Sequence, residues 1–238
     1  MQFFDLHVHS AFSEGESSIE QLAGMAKELG YKGICFSEYY KNEDQIKRLY
    51  SEIEKVKQKV KIEIFLGFEA RSPKELQTLK EKRRRFDVLL VHGGDLRLNR
   101  EAVETPEVDI LTHPEFGRQD SGLNHVLMRL AKKNNVAIEI NFRSILMESK
   151  SSRSKLLAKM QNNIKLAKKF HTPIILCSGA ISHYEMRDPH VMISMAEQLG
   201  LELNKAKESL SKIPEKILKQ AVERKNEKWI SPGVKVIG

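Results

Sequence analysis

The stretch Phe3-Phe4-Asp5-Leu6-His7-Val8-His9-Ser10 sets two imidazoles one residue apart at the end of an apolar run. Alternate side chains of a strand share a face, so His7 and His9 point the same way with Asp5 behind them. Neutral imidazole is a good ligand for zinc, manganese or iron, and two on one strand supply half of a coordination shell before any loop folds around the ion. The plainer reading of a lone His-x-His is a pair of rings that only hydrogen-bond their neighbours. What surrounds the pair decides between the two.

Outward from it, apolar runs alternate with amphipathic segments. Ser17 or Ser18 is placed to cap a helix carrying Ile19, Leu22, Ala23, Ala26 and Leu29 at helical spacing, and Gly30 ends it. Tyr31 to Glu38 reads as the second strand, Glu43 to Lys59 as a charged helix, and Ile62 to Phe68 as the third strand, ending in Glu69. Ser72-Pro73 opens a helix that closes in the basic run Lys82-Arg83-Arg84-Arg85. Strands at Phe86 to Val91 and Val108 to Thr112 flank a short helix near Asn99 to Glu104. A helix at Asn124 to Lys133, a strand at Val136 to Asn141, a basic helix at Ser151 to Phe170 and a strand at Pro173 to Cys177 follow. Helices near Pro189 to Leu199, Asn204 to Leu210 and Pro214 to Arg224 finish the pattern. About seven βα units with fully apolar strands predict an α/β fold built on a parallel sheet. We expect a single domain over residues 1–225, with 226–238 as a C-terminal tail without clear periodicity.

A chain of 238 residues with no apolar run near the roughly 20 that a membrane span requires is expected to be soluble and cytoplasmic, with no membrane partner. No signal-peptide pattern precedes the first strand. Cys35 and Cys177 sit in apolar runs and read as small buried thiols rather than a disulfide framework. The net charge of +8 suits a phosphate-bearing partner, although a Lys-rich solvated helix face yields the same balance.

The polar residues His7, His9, Glu38, Glu69, His92, His113 and Arg143 each fall at or just past the end of an apolar run. In a parallel barrel those ends gather on one face, where several histidines and a carboxylate can hold divalent metal. Candidate phosphate contacts are Arg97, Arg100, Arg118 and Arg143 in loops past strand ends, Arg153 and Lys155 on the basic helix, and Arg187 before Asp188-Pro189. Arg83, Arg84 and Arg85 read equally as a phosphate contact or as cations complementing a helix C-terminus.

Asp5-Leu6-His7-Val8-His9-Ser10, Ser13-Glu14-Gly15, Gly67-Phe68-Glu69 and Thr112-His113-Pro114 resemble the polymerase and histidinol phosphatase (PHP) superfamily. That resemblance implies a distorted TIM-like, PHP-type barrel with a multinuclear metal site for phosphoester hydrolysis. The chain departs from the pattern twice. It has Ser37-Glu38-Tyr39 where Thr-Asp-His is usual, and Gly179-Ala180-Ile181 where Asp-x-His closes the last strand. His7, His9, Glu14, Glu69, His92 and His113 remain as candidate ligands of a vestigial or optional zinc or manganese site.

A longer resemblance runs through Phe86 to Gly94 with Asn99-Arg100, Val108 to Pro114, Gly122-Leu123-Asn124-His125-Val126-Leu127, the helix from Arg153, and Ser178-Gly179-Ala180 with Arg187-Asp188-Pro189. It is to the archaeal ribonuclease P protein component 3 family, PHP-related TIM-like barrels that have commonly lost the catalytic metals. The resemblance implies a subunit of the endoribonuclease that removes the 5′ leader from precursor tRNA, with chemistry performed by the RNase P RNA and its Mg2+. It also implies direct pairing with protein component 2, alongside other RNase P protein components. The alternative is a stand-alone PHP-type metal-dependent phosphoesterase using His7, His9, Glu69, His92 and His113.

Overall fold

Apolar runs that are too short for helices, set between capped amphipathic segments, form one parallel sheet. The computed structural model describes residues 1–226, 229–231 and 234–235. The strands are β1 (Phe4–Val8), β2 (Gly33–Glu38), β3 (Glu63–Ala70), β4 (Val88–His92), β5 (Ile110–Thr112), β6 (Ala137–Asn141) and β7 (Ile174–Cys177). Between them lie α1 (Ile19–Glu28), α2 (Glu43–Val60), α3 (Pro73–Glu81), α4 (Leu96–Glu104), α5 (His125–Asn134), α6 (Phe142–Met147) and α7 (Lys150–Phe170). After β7 come α8 (Pro189–Gln198), α9 (Leu203–Leu210) and α10 (Lys212–Lys225). The expected alternation is therefore realised, with boundaries moved by a residue or two.

Local signals explain those boundaries. Ser18, not Ser17, caps α1 in a reciprocal box with Gln21, and Ser72 caps α3 with Pro73 in its first turn. Ser17 is buried instead, its hydroxyl 2.8 Å from His183 Nδ1. The run Arg83–Arg85 is a turn of 3-10 helix rather than the end of α3. The short helix α6, capped by Asn141, was not legible, because six residues are too few for a period to show.

The strands pair in parallel in chain order from β1 to β7. The sheet then curls until Val8 bridges Ala180, with the Gly179 amide donating to the His7 carbonyl at 3.0 Å and the His9 amide to the Ala180 carbonyl at 2.9 Å. The result is a nearly closed TIM-like barrel whose seam is shorter than its other ladders.

Side-chain parity sorts the core into two layers. Leu6, Cys35, Val88, Leu90, Ile110, Ala137, Ile175 and Cys177 fill the barrel, while Phe36, Leu66, Leu89, Val91, Leu111 and Ile138 face the helices. Both cysteines are free and buried, as expected. Ile217 and Leu218 of α10 join the inner layer, so the last long helix closes the barrel at its N-terminal end. Asp109, just before β5, ties that plug down by accepting from Arg83 and Arg224 together.

That contact corrects one expectation. Arg83 is buried against Asp109 and the carbonyls of Phe86, Asp87 and Glu107, so it is a structural cation and not an RNA contact. In the tail, Trp229–Ser231 and Val234–Lys235 pair as antiparallel strands, a regularity the sequence did not suggest. Residues 227–228, 232–233 and 236–238 of that tail lie outside the described residues.

Candidate functional site

A parallel barrel brings all its strand ends to one mouth, and the expected polar set stands there. β1 delivers its histidines through an irregularity. Three residue steps from Asp5 to Val8 match only two on β2, from Ile34 to Phe36. This bulge lets Leu6 fill the barrel while His7 and His9 both reach its mouth. Asp5 is left outside the cluster, its carboxylate accepting from the His7 and Ser178 amides, and burial raises its pKa to about 6. Glu69 comes from β3, His92 from the end of β4, and Glu139 and Asn141 from β6. His113, just past β5, has φ 44°, a conformation few residues other than glycine adopt. Its Nδ1 lies 3.1 Å from Ser144 Oγ.

His7 is the hub. Its Nδ1 lies 2.6 Å from Glu139 Oε1, and its Nε2 lies 3.0 Å from His9 Nε2 and 3.7 Å from Glu69 Oε1. His9 Nε2 is 3.6 Å from Glu14 Oε1 and 3.9 Å from Glu69 Oε2, and His113 Nε2 is 4.0 Å from Glu139 Oε2. Thr112 Oγ1 donates to Glu69 at 2.5 Å, and the Asn141 amide donates to Glu139 at 3.1 Å. Burial presses against a charge on His7, but the carboxylates of Glu139 and Glu69 outweigh it and raise its pKa to about 9. His9 is lowered to about 4 by burial and by the charge of His7. Glu69, despite its burial, is lowered to about 2 by the facing histidines, His7 first. The added proton of His7 thus sits between two carboxylates, while His9 and His113, both lowered, stay neutral.

The donor set fits a divalent cation. His7, His9 and Glu69 offer three buried ligand atoms within 4.8 Å of one another, and His7, His113 and Glu139 form a second such group. The buried oxygens Glu69 Oε2 and Glu139 Oε2 have no hydrogen-bond partner among the described residues. Two ring nitrogens 3.0 Å apart are close to the edge of a tetrahedron with metal–nitrogen bonds of about 2.0 Å. With Nδ1 of His7 on Glu139, its Nε2 is the atom left for the first group, and Glu139 orients it.

The places where ligands are missing are otherwise occupied. Tyr39 stands with its ring 5.3 Å from that of His9 and is covered by the Arg71 guanidinium at 3.9 Å. Glu38 turns away to accept from the Ser10 amide and hydroxyl, which pins the loop after β1. Gly179 has φ 63°, and a Cβ there would meet the Asn141 side chain at 2.2 Å, so the seam has no room for an acidic ligand. Sequence reasoning missed Glu139, Thr112 and Asn141. A carboxylate at the centre of the apolar run Ala137-Ile138-Glu139-Ile140, on the face of Ala137, was the available signal. His125, His171, His183 and His190 belong to neither group.

The family described as RNase P subunit p30 matches residues 2–226. The chain is 37% identical to ribonuclease P protein component 3 of Methanosarcina mazei over 99% of its length and 96% of that protein. The chain belongs to the RNase P subunit p30 family. It is thereby a protein subunit of ribonuclease P. A chain in the cryo-EM structure of archaeal ribonuclease P with mature tRNA superposes with a TM-score of 0.82 at 31% identity, covering 98% of both chains. A crystal structure of an amidohydrolase superposes at a TM-score of 0.57 and 11% identity, over 93% of this chain and 75% of that one, a likeness of fold alone.

Seen as a p30-family subunit, the cation set divides by location. Arg84 and Arg85 precede β4 and are exposed at the N-terminal end of the barrel, away from the mouth. Arg97 is exposed on α4, and Arg100 beside it pairs with Glu104 at 2.8 Å. Arg118 forks onto Asp120, Arg143 donates through Nε to Glu185 at 2.9 Å, and Arg153 donates to the Glu148 carbonyl at 2.8 Å. Arg187 donates to the carbonyls of Tyr184 and Met186, each at 2.8 Å. Lys155 is exposed on the first turns of α7. Arg118, Arg143 and Lys155 line the same cavity as the histidines. Among the described residues no helix is long and apolar enough to cross a membrane.

Proposed function

We propose that this chain is a noncatalytic, cytoplasmic subunit of ribonuclease P that, together with protein component 2, supports the catalytic RNA in removing the 5′ leader from precursor tRNA. The observation that carries the proposal is the likeness, along 98% of both chains, to the chain in archaeal ribonuclease P with mature tRNA. The +8 charge supports it, because Lys and Arg gain affinity for RNA phosphates by releasing counterions. In this reading Mg2+ acts at the RNA, and the exposed Arg84, Arg85, Arg97, Arg100, Arg153 and Lys155, with the half-buried Arg118, Arg143 and Arg187, contact backbone and shape rather than base sequence. The test is reconstitution. The isolated chain is expected not to cleave precursor tRNA, whereas adding it with component 2 to the RNA raises turnover at limiting Mg2+. Cleavage by the protein free of RNA, at an enzyme-like rate, refutes the proposal.

The orphaned carboxylate oxygens favour a second, compatible reading, in which zinc or manganese binds His7, His9 and Glu69, with Glu14, His92 and His113 close by. A cation there holds only the folded barrel and thereby stabilises it. His9→Ala is expected to abolish metal retention while the reconstituted complex keeps its cleavage rate. Loss of cleavage in that variant, with the fold intact, speaks for the stand-alone metal phosphoesterase instead.

A further inference from the structure

Two depressions on the mouth side of the barrel share a wall. The first, a cavity of about 510 Å³, lies over the histidine cluster and reaches α7. The second runs past residues 119–124 along α7, and Gln119, Lys155 and Lys159 line both. Together they make a continuous groove from the barrel mouth along the basic helix.

Its floor and rim differ in charge. The buried carboxylates of Glu69 and Glu115 lie beside His7, His9, His92 and His113 in the first cavity, while Arg118, Arg143, Lys155 and Lys159 outnumber the exposed carboxylates of Glu14, Asp120 and Glu148 along the groove. Arg143 uses only Nε on Glu185, and Lys155 makes no ion pair among the described residues. An acidic floor repels phosphate and accepts N–H donors; a cationic rim does the reverse.

Apolar groups are displayed on that rim. Phe116 is 63% exposed and Met147 is 62% exposed, both at the cavity, and Leu96, 46% exposed, stands on the second depression. The exposure of Phe116 is enforced. Its amide donates to the His113 carbonyl at 3.0 Å, its ring meets His92 edge-on at 5.2 Å, and Gly94 lets its carbonyl approach where a Cβ would stand 2.7 Å away. Lys159 and Arg118 brace the same loop from α7 and from the Gly94 carbonyl. A phenylalanine held out of the core by so many contacts offers its ring to a partner.

We propose that this groove binds an unpaired stretch of RNA, one base stacked on Phe116 and its phosphates on Arg143, Lys155 and Lys159. The inference rests on the ribonuclease P reading and names a site for it. A duplex hides its base faces within the stack, whereas a single strand offers them to an aromatic ring with cations along its backbone.

The test uses the full chain and an RNA heptamer carrying a central 2-aminopurine, alone or annealed to its complement. The single strand is expected to bind more tightly than the duplex, with the fluorophore quenched by stacking. Phe116→Ala should remove the quenching and weaken binding about ten-fold, Phe116→Tyr should retain both, and Lys155→Glu should weaken binding and flatten its salt dependence. Equal binding of single strand and duplex, or unchanged quenching in Phe116→Ala, overturns the proposal. So does a Phe116→Ala variant that binds RNA normally but no longer holds component 2, since the groove then serves a protein. If these fail while the wild-type chain still accelerates the reconstituted enzyme, the groove assignment falls and the subunit role stands.

Discussion

Replacing Asp109 by asparagine is expected to lower the unfolding free energy by about 3–5 kcal/mol, the scale seen when one partner of a buried ion pair is removed. The Asp109 side chain is 5% exposed and receives Arg83 on one oxygen and Arg224, at 2.6 Å, on the other. The Leu89 amide also donates to it at 2.8 Å. The asparagine keeps the shape and removes the charge, so two buried guanidinium groups lose the anion they share. Since Arg224 belongs to α10 and Arg83 to the turn before β4, the helix that plugs the barrel should release first. Urea unfolding followed by circular dichroism measures the loss, and limited proteolysis should cut between α9 and α10 in the variant before wild type is touched. A variant within about 1 kcal/mol of wild type would remove Asp109 from its central place in this account.

The second large effect is a loss of stability in mild alkali, measured on protein stripped of metal with a chelator. His7 has a folded pKa of about 9 against 6.5 for the free side chain. A raised histidine contributes stability that is fully present below the unfolded value and disappears as pH rises through the folded one. Between pH 7 and 9 the barrel should therefore lose on the order of 2–3 kcal/mol. His7→Gln should be less stable at pH 7 and should show little further loss up to pH 9. On the acid side the trends oppose one another. His9 and His113, each held down to about 4, remove stability as pH falls. Asp5 and Glu115, raised by burial to about 6 and about 7, restore it as they protonate. The acid limb should accordingly be shallow until the range where free carboxylates protonate, and should steepen below it, because Glu69, held down to about 2, and Glu139, also held down, lose their stabilising charge there. Stability at pH 9 equal to that at pH 7 would show that the proton on His7 is not what joins Glu139 to Glu69.

Several parts of the site were legible because they follow local rules. His7 and His9 advertise themselves by period-two spacing at a strand end, and Glu69, His92 and His113 by their place where apolar runs stop. Others were hidden by the same rules. Glu139 sits inside a strand, and only the inward or outward sense of that strand tells whether its carboxylate meets His7 or a helix. Glu38 obeys the strand-end rule and yet turns aside to Ser10, because the loop after β1 supplies two donors nearby. Arg83 lies in the most conspicuous basic run of the chain. Its burial depends on Asp109, 26 residues further on, and that approach is made by β4 and β5 lying side by side.

By itself the sequence determined the alternation of strands and helices, the helix cap at Ser72, the burial of both cysteines and the gathering of polar residues at one end of the sheet. All of these rest on backbone periodicity and on hydrogen bonds between residues close in the chain. Only the tertiary structure decided that a bulge turns His7 into the cluster, that Glu139 is its partner, that α10 closes the barrel floor and that Phe116 is held outward over a groove. Each of these joins groups dozens of residues apart, and such contacts arise from the closure of the sheet upon itself.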